Sequence, residues 1–199
     1  MRTFWDERYD RPEYVYGTEP NSFLVENVRH IPKGRVLCLA EGEGRNAVFL
    51  AQKGYDVTAI DASKVGLSKA RDLAESENVK INTIQTDLVD WPIDEWQWQG
   101  IVSIFCHLPM EARHAVFQRC AAGLAPNGIF LMEAFSEKQL QYNTGGPPNR
   151  DLLIDLTSAK KELAGLSLLH AHDVVRDIRE GIYHTGKAAV VQILAKKER

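Results

Sequence analysis

Residues 37–51 read LCLAEGEGRNAVFLA, and their interpretation decides the fold. A short apolar run ends at Ala40, two glycines follow, and a run with helical spacing begins at Arg45. A strand that turns through glycines into a helix is the nucleotide-binding turn of open α/β sheets, and Gly42-Glu43-Gly44-Arg45-Asn46-Ala47 fits the spacing G-x-G-x-x-A. The charge is unusual for that turn. Glu41 and Glu43 stand where a pyrophosphate would meet the partial positive charge of the helix N-terminus, and both oppose an anion there. A P-loop is excluded more directly, since no Lys-Ser or Lys-Thr pair follows the glycines to reach phosphates and magnesium.

Outward from this turn the chain alternates. Strands are expected over 35–40, 56–60, 79–85, 101–105 and 129–135, and helices over 45–53, from Ser63 as N-cap, and from Pro109. Such β-α-β-α order calls for a parallel sheet covered on both faces. After the loop TGGPPNR (144–150), Leu152, Leu156, Ala159 and Leu163 keep helical spacing. The runs 167–179 and 182–195 then follow with only Glu180-Gly181 between them, and should pair as an antiparallel hairpin. Upstream, 1–19 mixes aromatic and charged residues without a sustained period and reads as an ordered arm or lid, followed by a helix from Pro20 through Ile31.

A chain of 199 residues suits a single domain, divided here into arm and first helix (1–31), cofactor-binding core (35–135) and a substrate-side loop, helix and hairpin (136–199). A net charge of −3 provides no basic surface for nucleic acid, so a small molecule is the expected partner, with the chain a monomer or homodimer. Cys38, Cys106 and Cys120 are widely spaced and odd in number, which points to a reducing, cytoplasmic setting rather than to a disulfide framework or zinc cluster. The start MRTFWDERYDRPEY has no apolar h-region, and no apolar run approaches the ~18 residues that cross a bilayer.

The loop's charge selects among cofactors. S-adenosylmethionine has no phosphate, and its sulfonium and ammonium outweigh its one carboxylate, so an acidic glycine loop suits it. Asp61, in TAIDAS (58–63), is placed to accept hydrogen bonds from both ribose hydroxyls, or else to cap a helix beside Ser63. Asp87, in TDLVDW (86–91), is placed to reach an adenine amino group while Leu88 packs on the ring, or else is a turn residue in solvent. Ligands bind beyond the carboxyl ends of strands in open sheets, as these acids require. The expected cofactor-binding set is Ala40, Glu41, Gly42, Gly44, Arg45, Asp61, Ala62, Asp87 and Leu88. Tyr16 joins it from the arm, where Tyr9, Tyr14 and Tyr16 offer aromatic faces that attract a sulfonium.

The leader WDERYDRPEYVYGTEPNSFL (5–24), the glycine loop, TAIDAS, TDLVDW and the terminal hairpin together resemble class I S-adenosylmethionine-dependent methyltransferases, in particular the small tellurite-resistance and thiopurine-type branch. The resemblance covers nearly the whole chain. It implies a Rossmann-like three-layer sandwich whose seven-stranded, mostly parallel sheet runs 3-2-1-4-5-7-6 with strand 7 antiparallel. It also implies S-adenosylhomocysteine as product. The family motif usually has an acid at Cys38, glycine at Ala40 and a small residue or Cys at Glu41, so this chain departs at all three. Contact with the cofactor's ammonium group is therefore expected from Glu41 and backbone carbonyls.

The expected reaction is an in-line methyl transfer to a thiol or a chalcogen oxyanion of the tellurite or selenite kind. Such transfers depend on positioning and exclusion of water. The candidates on the acceptor side are three. His107, in IFCHLP (104–109), either faces the methyl group or caps the helix from Pro109. His184, in GIYHTGK (181–187), either resembles a hairpin histidine of the tellurite-resistance relatives that lies toward substrate or is an exposed strand histidine. Arg150 either holds an oxyanion bidentately or makes a surface ion pair. Trp91, Trp96 and Trp98 are expected to cover a sheet edge or helix. Two other readings are an NAD-linked oxidoreductase, for which no Tyr-x-x-x-Lys pair is found, and a non-catalytic cofactor-binding regulatory protein on the same fold.

Overall fold

A computed structural model describes residues 2–198, so the first residue of the expected arm and the last of the substrate-side segment lie outside the described residues. One seven-stranded sheet organises the chain in the order β3-β2-β1-β4-β5-β7-β6. The strands are β1 (Arg35–Leu39), β2 (Asp56–Asp61), β3 (Asn82–Gln85), β4 (Trp98–Ile104), β5 (Leu124–Phe135), β6 (Ser167–Glu180) and β7 (His184–Lys196). The first five are mutually parallel, while β7 runs antiparallel to both β5 and β6. This is the order and direction that the sequence implied.

β1 sits at the point where the strand order reverses, and its burial explains its composition. Val36, Leu37, Cys38 and Leu39 are all buried, because parallel strands are covered on both faces and read as continuous apolar runs. Leu37 and Leu39 pack with Val116, Phe117 and Cys120 of α5 (Met110–Gly123) and with Ala159 of α6 (Leu156–Glu162). Val36 and Cys38 face the other way, toward Phe23 and Leu24 of α2 (Ser22–Asn27) and Leu50 of α3 (Arg45–Gln52). A period of two along the strand thus serves two layers of helices. The helix α4 (Lys64–Ser76) begins at Ser63, whose hydroxyl accepts the N–H of Gly66 as the sequence suggested.

Several boundaries move, each for a local reason. Residues 2–9 form a helix, α1, rather than an aperiodic arm. Its fixation is tertiary, because the carboxylate of Asp6 accepts from Ser63 Oγ and from the N–H of Val65, at the start of α4. β3 starts at Asn82, later than expected, because the N–H of Val79 bonds back to Ala74 O and closes α4. β4 instead starts earlier, at Trp98, a buried residue. The helix expected from Leu152 onward divides into a 3-10 turn over Arg150–Leu152 and α6. A bridge between Ile154 and Ser136 and the N-cap bond from Asp155 to the N–H of Ser158 separate the two. Trp98 is itself the first residue of β4, buried in the core, whereas Trp96 is largely exposed. Among the described residues no helix is long and apolar enough to cross a membrane.

Candidate active site

The turn after β1 is built by close approach. Gly44 has φ +92°, and a Cβ there would lie 2.6 Å from that of Ala70, so glycine is what lets α3 and α4 touch. Gly42 has φ +61°, and a Cβ there would meet the Tyr9 hydroxyl at 2.5 Å. Ala40 carries φ +47°, a left-handed conformation at the position where the family motif has glycine.

Both glutamates of the loop are occupied within the protein. Glu41 Oε1 accepts the backbone N–H groups of Asn46 (2.9 Å) and Ala47 (2.8 Å), which open the first turn of α3. Its carboxylate thus fills the anion seat at that helix terminus. Burial, only partly offset by these bonds and by Arg45, pushes its carboxyl up to about 7. Glu43 holds the arm instead. Its Oε2 accepts the N–H of Val15 at 2.8 Å and of Tyr16 at 3.3 Å, and its Oε1 pairs with Lys69 at 2.5 Å. Glu43 therefore adds no uncompensated negative charge, which corrects the reading of it as a lure for a cationic ligand.

Asp61 ends β2 with Oδ2 accepting the N–H of Gly42 at 2.8 Å and Oδ1 that of Ser63 at 2.7 Å. It braces the start of α4 while lining a cavity of about 550 Å³. Burial raises its pKa, with the bonds from Ser63 and Gly42 opposing. Ala40, Glu41, Ala62, Asp87, Leu88 and Tyr16 line the same cavity. Asp87 is exposed and accepts the N–H of Val89 in a turn, while Leu88 is buried. Gly42 and Gly44 lie behind this lining, under Tyr9 and against Ala70. Arg45 also borders the cavity, but its guanidinium is tied at 2.6 Å to Glu180, 135 residues away. That ion pair belongs to a buried network joining Asn21, Glu133, Arg176 and Gln192.

The arm crosses the carboxyl ends of the strands. Lys69 of α4 donates to the carbonyls of Tyr9, Arg11 and Glu13 besides pairing with Glu43. Tyr9 is buried against Gly42 and Gly66, and Tyr16 lies 4.5 Å from the His184 ring. Tyr14 turns away, its hydroxyl donating to Lys69 O. Val15 O accepts the N–H of Ile182, which ties the arm to the β6–β7 turn.

At the other end of the cavity stand two imidazoles. Phe105, left-handed at φ +51°, ends β4 and turns His107 inward. His107 Nδ1 donates to Leu152 O at 2.9 Å, while its Nε2 has no hydrogen-bond partner. His184 lies among Tyr16, Phe105 and Phe135 with its Nδ1 unpartnered. Burial lowers both, His107 to about 4 and His184 well below its ordinary value. The loop 145–148 roofs this end. Arg150 does not join them. It is exposed and pairs with Glu137 at 3.4 Å, because the 3-10 turn carries it outward, so the surface ion pair is the correct reading. Arg8 and Tyr183 line the cavity without having been read from the sequence; they lie 175 residues apart, and only the folded arm unites them.

A strand-glycine-helix turn on a sheet of this order, with an acid closing β2, defines a Rossmann-like methyltransferase fold. The family described as a methyltransferase domain matches residues 36–128. A ubiquinone biosynthesis O-methyltransferase of Rickettsia akari is 37% identical over 128 residues, covering 62% of this chain and 51% of that protein. The probable S-adenosyl-L-methionine-dependent methyltransferase TehB of Haemophilus influenzae is 34% identical over 65 residues, covering 33% of this chain and 23% of TehB. The chain thus spans about half the length of the Rickettsia relative and less of TehB. Among solved structures, one concerned with conversion of a disulfide bond into a thioacetal group during echinomycin biosynthesis superposes with TM-score 0.80 at 16% identity, covering 100% of this chain and 92% of that one. The crystal structure of TehB from H. influenzae superposes with TM-score 0.75 at 20% identity, covering 99% and 67%. These structural likenesses speak to the fold. Over residues 36–128 the chain is thus similar to a methyltransferase domain, carried on a Rossmann-like fold.

Proposed function

We propose that the chain transfers a methyl group from S-adenosylmethionine to a small-molecule acceptor, a thiol or a chalcogen oxyanion. The observation that carries this reading is the Glu41 carboxylate on the N-terminus of α3. A dinucleotide needs that seat for its pyrophosphate, and here the Glu41 carboxyl group already holds it. A cofactor without phosphates fits the loop as it stands.

Bound in the cavity, S-adenosylmethionine would supply an electrophilic methyl group on a sulfonium. Asp61 keeps lone pairs beyond its two backbone bonds to accept ribose hydroxyls, and Leu88 and Asp87 offer an apolar face and an acceptor to adenine. Glu41 lines the same space, so its carboxylate serves both α3 and the ammonium group. Tyr16, with Tyr9 beneath it, closes the site against water. A cytoplasmic monomer or homodimer, folded as one domain, belongs to the same proposal. Calorimetric titration tests it: S-adenosylhomocysteine should bind and NADH should not. No S-adenosylhomocysteine binding at millimolar concentration would sink it.

A further inference from the structure

At one end of a ligand-sized cavity His107 Nε2 is buried without a hydrogen-bond partner, and His184 Nδ1 nearby has only the Glu180 carboxylate, at 4.0 Å. His107 Nδ1 is fixed as a donor by Leu152 O, which leaves an acceptor lone pair on Nε2. His184 Nδ1 makes no hydrogen bond and lies 4.0 Å from the Glu180 carboxylate. The rings of Tyr16 and Phe105 stand against His184, and Phe135 stacks on His107 at 5.6 Å.

The charged groups around the pair come from six elements, and each cation has a contact of its own. Arg8 of α1 lies over the Tyr183 ring and donates to Tyr16 Oη. Arg45 of α3 is paired with Glu180 of β6. Arg113 of α5 makes a two-pronged bond to Glu162 of α6. Arg176 of β6 binds Glu133 of β5 and Glu180. An oxyanion entering here would find three guanidiniums already paired with carboxylates, Arg8 held by aromatic rings and a 3.4 Å bond to Tyr16, and the His107 Nε2 lone pair facing its own. A neutral X–H group would find the reverse, an acceptor for its proton and aromatic walls for its body.

We propose that the methyl acceptor is a neutral small thiol and that His107 Nε2 takes its proton. The proposal rests on the methyltransferase reading and narrows it. In the step, the S–H bond breaks toward Nε2 and a sulfur lone pair forms the new S–CH₃ bond. The methyl–sulfonium bond breaks with its electrons returning to the cofactor's sulfur, leaving a neutral thioether and an imidazolium. A buried, weakly basic imidazole favours a thiol, at a pKa of about 8.5, over less acidic hydroxyl groups. His184, which packs on the same Phe105 and Phe135 rings, positions that group.

The experiment measures kcat and KM for small thiols, matched phenols, selenite and tellurite in the wild type and in His107→Asn, beside S-adenosylhomocysteine binding by calorimetry. Asn retains a donor for Leu152 O while removing the Nε2 lone pair. Thiols should be the turned-over class, and the variant should lose about 10²- to 10⁴-fold in kcat, with cofactor affinity unchanged and the acidic limb of the pH profile gone. A fold-independent readout uses the wild type alone: in the S-adenosylhomocysteine complex, adding a thiol should shift the ¹⁵N resonance of His107 Nε2. An unmoved Nε2, an undiminished kcat in the variant, or faster turnover of the oxyanions overturns the proposal. So does cofactor binding without methylation of any thiol. Absence of cofactor binding is a distinct result, and it overturns the underlying methyltransferase reading as well.

Discussion

Ala47 donates its backbone N–H to Glu41 Oε1 at 2.8 Å, so a carboxylate at the end of one strand caps the helix that follows. The arrangement has a cost at neutral pH. The carboxyl rises from 4.5 to about 7 because burial disfavours its charge. Between those values the folded chain keeps a proton that the unfolded chain has lost, so this group's contribution falls as pH rises from about 4.5 to about 7. His107 and His184, held below the ordinary histidine value, act in the opposite direction, and a comparison with Glu41→Gln isolates the glutamate. The Gln variant should match the wild type near pH 4.5 and gain on it toward pH 7.5, with a ceiling of about 3 kcal/mol. Urea unfolding at the two pH values checks this, and a constant difference across the range would refute it.

The same bond shows what the sequence could tell. The closing hairpin and the glycine turn were legible because they rest on local periodicity and on motif spacing, and the strand order because the family resemblance implies it. The two glutamates were legible as an anomaly but not as to cause. Glu43 turned out to serve the arm through Val15, 28 positions away, and no local pattern marks such a partner. Arg45 met its carboxylate at Glu180 for the same reason. The helix α1 escaped notice because what fixes it is the contact of Asp6 with Ser63 and Val65 at the start of α4, not its own composition. Arg150 failed as a site residue because a 3-10 turn, invisible to helical spacing, decides its direction.

Ala40 offers a test of backbone strain. A left-handed non-glycine residue costs roughly 1–2 kcal/mol, and glycine gives part of that back as unfolded-state entropy. With φ at +47°, Ala40→Gly should raise stability by about 0.5–1 kcal/mol. Thermal melting reads this out, and a lowered midpoint would show that the Ala40 methyl packs more usefully than its backbone suffers.

Lys69 should govern the arm. Lys69→Met removes the partner of the buried Glu43 and three carbonyl contacts to residues 9–13. Breaking a buried pair on one side costs about 3–5 kcal/mol. Part of that loss should stay local, since the sheet keeps its own core. Cleavage within 10–18 under limited proteolysis should accelerate more than global unfolding, and S-adenosylhomocysteine should bind more weakly. Equal acceleration across the chain would mean that the arm and the sheet unfold together.

Asp61 carries two structural bonds and, in the proposed function, two to the ribose, so its replacement must separate the roles. Asp61→Asn retains one carboxamide oxygen to accept from Gly42 or Ser63 and loses the charge that strengthens a hydroxyl's bond. Losing charged hydrogen bonds to a ligand costs about 1.5–3 kcal/mol, or roughly 10- to 150-fold in affinity. Because burial raises the Asp61 carboxyl, neutralising it relieves some desolvation, and the variant's stability should fall by less than its binding does. The pair of measurements is a calorimetric titration with S-adenosylhomocysteine and a urea unfolding curve. Affinity should drop at least tenfold while the fold survives, whereas full affinity in the variant would remove Asp61 from the ribose.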